Sequence, residues 1–297
     1  MKKTQHRVIL ISDIHYTCQE KSTDPQVRTS AAVGDAFGYT QKEKVALALQ
    51  DVQKEADSLD AVFVLGDLSL DDADYRKLPE NYCQKFREEF MAQLTCPCYA
   101  LPGNHDSYPD RNWMQMFGYG RQFSVTVGDA AFIALDTFAQ VPATGASGAA
   151  FTDVDMVFLK QELEKCPQKK IFLLSHYFLP ERNKALSQLV SSDPRILCLF
   201  QGHTHINRVL QPPCLQGVPL VDIGGYGYQG ECVEGKWIFS RFDPAWAWGY
   251  QVLQWSEEST QTYHIKPQRL YQGSNGNFFY PGAIEDKLEL SSPAISY

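Results

Sequence analysis

Five short apolar runs in this chain each stop at a cluster of Asp, Asn or His, and that repetition limits the folds open to it. Val8-Ile9-Leu10-Ile11 leads into Ser12-Asp13-Ile14-His15, and residues 61–65 lead into Gly66-Asp67. Residues 97–101 lead into Pro102-Gly103-Asn104-His105-Asp106. Residues 171–174 end at Ser175-His176, and residues 196–200 lead into Gly202-His203-Thr204-His205. Apolar runs this short, bounded by polar turns, read as buried strands. In open α/β structures, ligands gather where strand ends and their loops meet one crevice.

The segments between these runs supply helices. From about residue 41, Val45, Ala48, Leu49, Val52, Ala56 and Leu59 recur at three- and four-residue steps and form one apolar face. A second helix is expected over residues 80–94. Thr152 followed by Asp155 resembles a capping box that opens a third, running to about Lys165. Residues 123–127 and 131–135 flank Gly128-Asp129 as a hairpin. After His205 the pattern turns to strands, at 219–223, 237–240, 250–255 and 260–265. A front half of alternating strand and helix and a strand-rich back half fit two packed mixed sheets flanked by helices. No repeat or linker interrupts residues 1–297, so a single domain is expected. Residues 17–40 read as a lid-like insertion and 270–297 as an irregular tail.

Imidazole and carboxylate together suit Fe, Mn, Zn or Ni. Five of the seven histidines lie in the clusters, and no cysteine does. Asp13, His15, Asp67, Asn104, His176, His203 and His205 are too many ligands for one histidine-rich ion. Two ions sharing a bridging carboxylate would use them all. The eight cysteines read as reduced thiols, with Cys98 and Cys198 as buried small hydrophobes. His6 and His264 read as ordinary sheet or surface residues, and the acidic run Asp71, Asp72, Asp74 as a solvated loop or helix start. Gly225 to Gly230 spells G-x-G-x-x-G, but a strand follows it, so no helix start is available for a pyrophosphate. Trp246, Trp248 and Tyr250 read as packing rather than a stacking surface for a base.

The formal charge of −8 argues against a duplex nucleic-acid partner. No run approaches the roughly 20 apolar residues of a membrane span. The apolar stretch after Met1-Lys2-Lys3 is too short for a signal peptide. A cytoplasmic protein is the expectation; oligomeric state is not legible.

The blocks D-x-H, GD, GNHD, H and GHxH, complete and in order, resemble the calcineurin-like metallophosphoesterases. The resemblance implies an α/β fold, a four-layer α/β/β/α sandwich of two mixed sheets flanked by helices. It implies two divalent or trivalent ions. One would be held by Asp13, His15, Asp67 and His205, the other by Asp67, Asn104, His176 and His203, with Asp67 bridging. His105 would protonate or stabilise the leaving oxygen, and Asp106 would orient His105. The reaction implied is in-line attack on phosphorus by a metal-bridging hydroxide.

The arginine-containing blocks of the protein phosphatases are missing here, and Leu70 stands where purple acid phosphatases have a tyrosine ligand. The blocks are most similar to small bacterial phosphodiesterases, including class III cyclic nucleotide phosphodiesterases. That implies a phosphodiesterase acting on a small phosphate ester, with a nucleotide among the candidates. Residues 17–40 and the segment after Leu215 are expected to line the specificity pocket. A phosphomonoesterase, a nucleotide pyrophosphohydrolase and a non-catalytic metal-dependent interaction module are the alternatives.

Overall fold

A computed structural model describes residues 5–16, 41–55, 58–69, 81–138, 150–226, 231–233, 236–238, 249–266, 271–272, 278–279 and 287–291. In chain order the elements begin β1 (His6–Ile11), α1 (Gln41–Gln53), β2 (Ala61–Leu65), α2 (Tyr82–Glu89), β3 (Cys98–Leu101) and α3 (Asp110–Phe117). Next come β4 (Phe123–Val127), β5 (Ala130–Leu135), α4 (Met156–Lys165), β6 (Lys170–Ser175), α5 (Lys184–Ser192) and β7 (Ile196–Gln201). Strands follow: β8 (Asn207–Leu210), β9 (Leu220–Ile223), β10 (Glu231–Val233), β11 (Lys236–Ile238), β12 (Tyr250–Trp255) and β13 (Thr260–Ile265). The last are β14 (Tyr271–Gln272), β15 (Phe278–Phe279) and β16 (Lys287–Glu289).

Two six-stranded mixed sheets carry the fold, ordered β16-β13-β12-β1-β2-β3 and β4-β5-β6-β7-β9-β8. β1, β2 and β3 run parallel, with Val8 opposite Ala61 and Val62 opposite Cys98. In the second sheet β5, β6, β7 and β9 run parallel. Because side chains alternate along a strand, each sheet has two apolar faces to cover. Val8, Leu10, Phe63 and Leu65 face Phe132, Phe172, Phe200 and Val221 of the other sheet. The Phe63 and Phe132 rings stack across this interface with centroids 4.6 Å apart. On the outer face of the first sheet, Ile9, Ile11, Val62 and Val64 pack under Val45, Ala48 and Val52 of α1 and Phe86 of α2. On the other side, Ile133, Ile171, Leu173 and Leu199 pack under Leu159 and Leu163 of α4 and Leu186 and Val190 of α5. Each such burial contributes about 1.5–3 kcal/mol, so the pattern locks both layers and register. The expected four-layer sandwich is the observed architecture.

Several boundaries differ from the sequence expectation. α1 stops at Gln53, and Leu59 buries its side chain from the following loop. The helix expected over 80–94 breaks at Phe90 into a short 3₁₀ turn, Met91–Gln93. Asp155, not Thr152, caps α4, its side chain accepting from the Val157 and Phe158 amides. α3 and α5 were not expected, nor was β8. β16 joins β13 from within the segment read as irregular tail. Cys198 is buried as expected, whereas Cys98 is only partly so. Burial pushes both thiols well above the usual range, which makes them poor nucleophiles. His6 and His264 lie in β1 and β13, and Tyr250 is buried in the core. Residues 17–40, Asp71, Asp72, Asp74, Trp246, Trp248 and Gly227 to Gly230 lie outside the described residues. No helix among the described residues is long and apolar enough to cross a membrane.

Candidate metal centre

The carboxyl ends of β1, β2 and β3 in one sheet and of β6 and β7 in the other meet at one edge of the sandwich. The backbone there is unusual. Among described non-glycine residues, positive φ occurs at Asp13 (56°), His15 (49°), Asp67 (50°), His203 (67°), His205 (56°) and Gln216 (48°). Five of these six are expected ligands. A left-handed conformation costs a residue with a side chain on the order of 1–2 kcal/mol. It persists where surrounding structure overdetermines it, commonly at functional sites. Here the loops after β1 and β2 stay paired beyond the sheet. Asp13 N donates to Gly66 O (3.1 Å), His15 N to Asp67 O (2.9 Å) and Tyr16 N to Leu68 O (2.9 Å).

All seven expected ligands converge, and they form two groups that share Asp67. In the first, His205 Nε2 lies 3.1 Å from Asp13 Oδ1 and 3.2 Å from His15 Nε2. His15 Nε2 is in turn 3.6 Å from Asp67 Oδ2. In the second, His176 Nε2 lies 3.2 Å from the same Asp67 oxygen and 3.2 Å from Asn104 Oδ1. His203 Nδ1 completes it, 3.0 Å from Asn104 Oδ1 and 3.3 Å from His176 Nε2. Asp67 therefore presents one oxygen to both groups. Its other oxygen accepts from His105 N at 2.9 Å, which fixes the carboxylate plane.

Tautomers and charges suit ion binding. His176 Nδ1 sits 2.7 Å from the carbonyl of Leu65, across the two sheets. The carbonyl requires N–H there, which leaves Nε2 to face Asp67 and Asn104. Burial holds His15 down at about 4 and His203 at about 3, so both rings are neutral at physiological pH. Burial opposes charge on Asp13 as well, but His205, His176 and His15 outweigh it and hold its carboxyl well below the usual range. Burial likewise opposes charge on Asp67, and His176 and His105 overcome it. His176 shows the appetite of the site for positive charge. Despite complete burial, Asp67 and Asp13 raise it to about 9. Two pairs of ring nitrogens facing each other at 3.2 and 3.3 Å, beside two buried carboxylates, fit cations.

His105 is half-buried, its ring edge-on to His15 with centroids 5.2 Å apart. A His105 ring nitrogen also falls within 4.8 Å of ligand atoms of His15 and Asp67. Asp106 is buried among donors of two loops. Its carboxylate accepts from Leu68 N (3.1 Å), Ser69 N (3.1 Å), Ser69 Oγ (3.3 Å) and Gly103 N (3.0 Å). It thus ties the loop after β3 to the loop after β2, and none of these bonds comes from the His105 ring. Burial, then repulsion from Asp67, push the Asp106 carboxyl up to about 6 against these donors.

Two glycines admit this packing. Gly66 has φ 87°, and a Cβ there would lie 2.6 Å from Gly103 N and 2.7 Å from His176 Nδ1. A Cβ on Gly103 would meet Asp67 Oδ1 at 2.1 Å. The segment after Leu215 does reach the site: a Cβ on Gly225 would contact Asp13 Cβ at 3.2 Å.

Other residues at the site were not singled out in the sequence. Phe138 packs on His176 and His203, with centroids 5.4 and 5.7 Å away, and Tyr177 lies 4.6 Å from His203. Arg121 is buried and donates from Nε to Asp136 Oδ2 at 2.6 Å. Its Nη1 reaches the carbonyls of Tyr108 (2.7 Å) and Asp106 (3.4 Å). One trace was legible: β5 is a sixth apolar run that ends at an acid, Asp136. Arg121 itself carries no sequence mark.

The family model of the calcineurin-like phosphoesterases matches residues 6–207, a span that contains every candidate ligand just described. The chain belongs to that family. Membership makes it a metal-dependent phosphoester hydrolase. A dimetal phosphatase from Danio rerio superposes with a TM-score of 0.60 at 12% identity, covering 97% of this chain and 99% of that one. At that identity the likeness shows a shared fold alone. A Staphylococcus aureus protein described as a 5′-nucleotidase gives 0.47 at 14% identity, over 98% of this chain and 55% of that one. Yfce, a phosphoesterase from E. coli, gives 0.37 at 15% identity, over 94% and 100%. No curated protein sequence matches the chain.

Proposed function

We propose that this calcineurin-like phosphoesterase is a two-metal phosphodiesterase for small phosphate esters, with nucleotides among its candidate substrates. The observation that carries the two-ion reading is Asp67, whose Oδ2 lies 3.6 Å from His15 Nε2 and 3.2 Å from His176 Nε2. Asp13, His15, Asp67 and His205 would hold one ion. Asp67, Asn104, His176 and His203 would hold the other. Fe, Mn, Zn and Ni all suit this mixed nitrogen and oxygen set. Bound together, such ions acidify a shared water and neutralise the oxygens of a phosphoryl group.

The chain's own groups supply the rest. His105 stands beside the shared edge of both groups, on a loop whose amide holds Asp67. It would give a proton to the departing oxygen, a role worth roughly 10²–10⁴-fold. Phe138 and Tyr177 pack against the His203 ring. Diesterase action is favoured by the block forms, GNHD above all. The monoesterase reading draws on the dimetal phosphatase whose fold this chain shares.

The test is hydrolysis of bis(p-nitrophenyl) phosphate beside p-nitrophenyl phosphate, with Mn²⁺ and with chelator. The expected result is chelator-sensitive turnover with the diester preferred in kcat/KM. A preference for the monoester would replace the diesterase reading. No turnover of either by metal-loaded protein would favour an interaction module.

A further inference from the structure

The two sheets deliver their ligands separately, so something must hold the two sets of loops in register. Arg121 is one tie between them, made with a buried charge. It precedes β4 and its Nε is 2.6 Å from Asp136 Oδ2, just after β5; both flank strands of the second sheet. Its Nη1 crosses to the first sheet, to the carbonyls of Tyr108 (2.7 Å) and Asp106 (3.4 Å), on the loop that carries Asn104 and His105. Asp136 extends the tie, because its Oδ1 accepts from Phe138 N at 3.0 Å, and Phe138 packs on His176 and His203. The guanidinium also lies over Trp113 of α3, 5.7 Å from the ring centroid. Only a planar fork meets a carboxylate, two carbonyls and a ring face together; a lysine ammonium does not.

We infer that Arg121, with Asp136, is a positioning residue that sets the reach of His105 toward the leaving group. The inference rests on the reading of His105 as the leaving-group acid. A p-nitrophenolate departs without a proton at neutral pH, whereas phenolate needs one. Loss of His105 placement therefore slows a phenyl ester more than a p-nitrophenyl ester. A general loss of stability or of metal slows both alike.

The experiment compares diphenyl phosphate with bis(p-nitrophenyl) phosphate under Mn²⁺ for wild type, His105→Asn, Arg121→Lys, Asp136→Asn and the His105→Asn/Arg121→Lys double variant. Hydrogen exchange of the peptide spanning 103–108 is followed in the metal-free proteins. His105→Asn is expected to lose about 10²-fold more on the phenyl ester than on the p-nitrophenyl ester. Arg121→Lys and Asp136→Asn are expected to share that selectivity by about 10-fold or more, since a shift of about 1 Å costs up to about 10²-fold. The double variant should be no more selective than His105→Asn. Exchange at 103–108 should rise in Arg121→Lys. Should Arg121→Lys not fold, Asp136→Asn carries the same comparison. Equal losses on both esters, or unchanged exchange, in the Arg121 and Asp136 variants while His105→Asn stays selective would overturn the inference. An unselective His105→Asn would overturn the acid reading itself, and the inference with it.

Discussion

Asp67→Asn is expected to lose more than about 10²-fold in metal-dependent kcat/KM, since even a neighbour of a metal ligand costs 10–100-fold. The substitution keeps the shape and changes one atom. Asp67 Oδ1 accepts from His105 N at 2.9 Å, so an asparagine will keep its carbonyl oxygen there. Its NH₂ must then occupy the place of Oδ2, facing His15 and His176. A shared acceptor becomes a donor aimed at the place proposed for the ions. The loss appears as weaker Mn²⁺ dependence and lower rate together, with the fold kept. Retention of more than about a tenth of wild-type kcat/KM at saturating Mn²⁺ would show that Asp67 is not shared.

Gly103→Ala is expected to act through structure. A Cβ at this position would lie 2.1 Å from Asp67 Oδ1 and 2.4 Å from Asp67 N, and the second contact is with backbone that no rotamer change relieves. The loop after β3 must then move, and the Gly103 N bond to Asp106 (3.0 Å) moves with it. Overpacking of this kind costs about 1–3 kcal/mol and more where backbone blocks relaxation. Urea unfolding should register at least about 3 kcal/mol, accompanied by loss of tight Mn²⁺ binding. Gly118 is the control. It caps α3 at φ 81° with nothing near its missing Cβ, so alanine there costs only about 1 kcal/mol and leaves metal binding intact. Equal effects of the two substitutions would refute the close-approach account.

The seven converging candidate ligands were legible because their chemistry is local. Each sits within four residues of an apolar strand end, and the strands are buried enough to read without a helix to frame them. The layers were legible for the same reason, since alternate residues of β1 and β2 must find two partners. What stayed hidden depends on pairing or on single bonds. β8 is a polar edge strand, Asn-Arg-Val-Leu, whose identity comes from β9 beside it. α3 opens Asp-Arg-Asn and is only eight residues long, so its apolar stripe of Trp113, Met116 and Phe117 spans little more than one turn. Only Pro109 before it and Gly118 after it mark its ends. The contacts of Asp106 were not legible, because three of its donors come from Leu68 and Ser69 on the loop after β2 and only Gly103 N from its own loop. Arg121 was invisible, because its partners Asp136 and Tyr108 are brought to it only by the packing of the sheets.

The number of ions bound tests the central claim most directly. Chelator-treated protein, reconstituted with Mn²⁺, desalted and analysed for metal per chain, should hold two ions in wild type and fewer than two in Asp67→Asn. A wild type that saturates at one ion, or an Asp67→Asn protein that still holds two with wild-type affinity, would contradict a centre built on a shared Asp67.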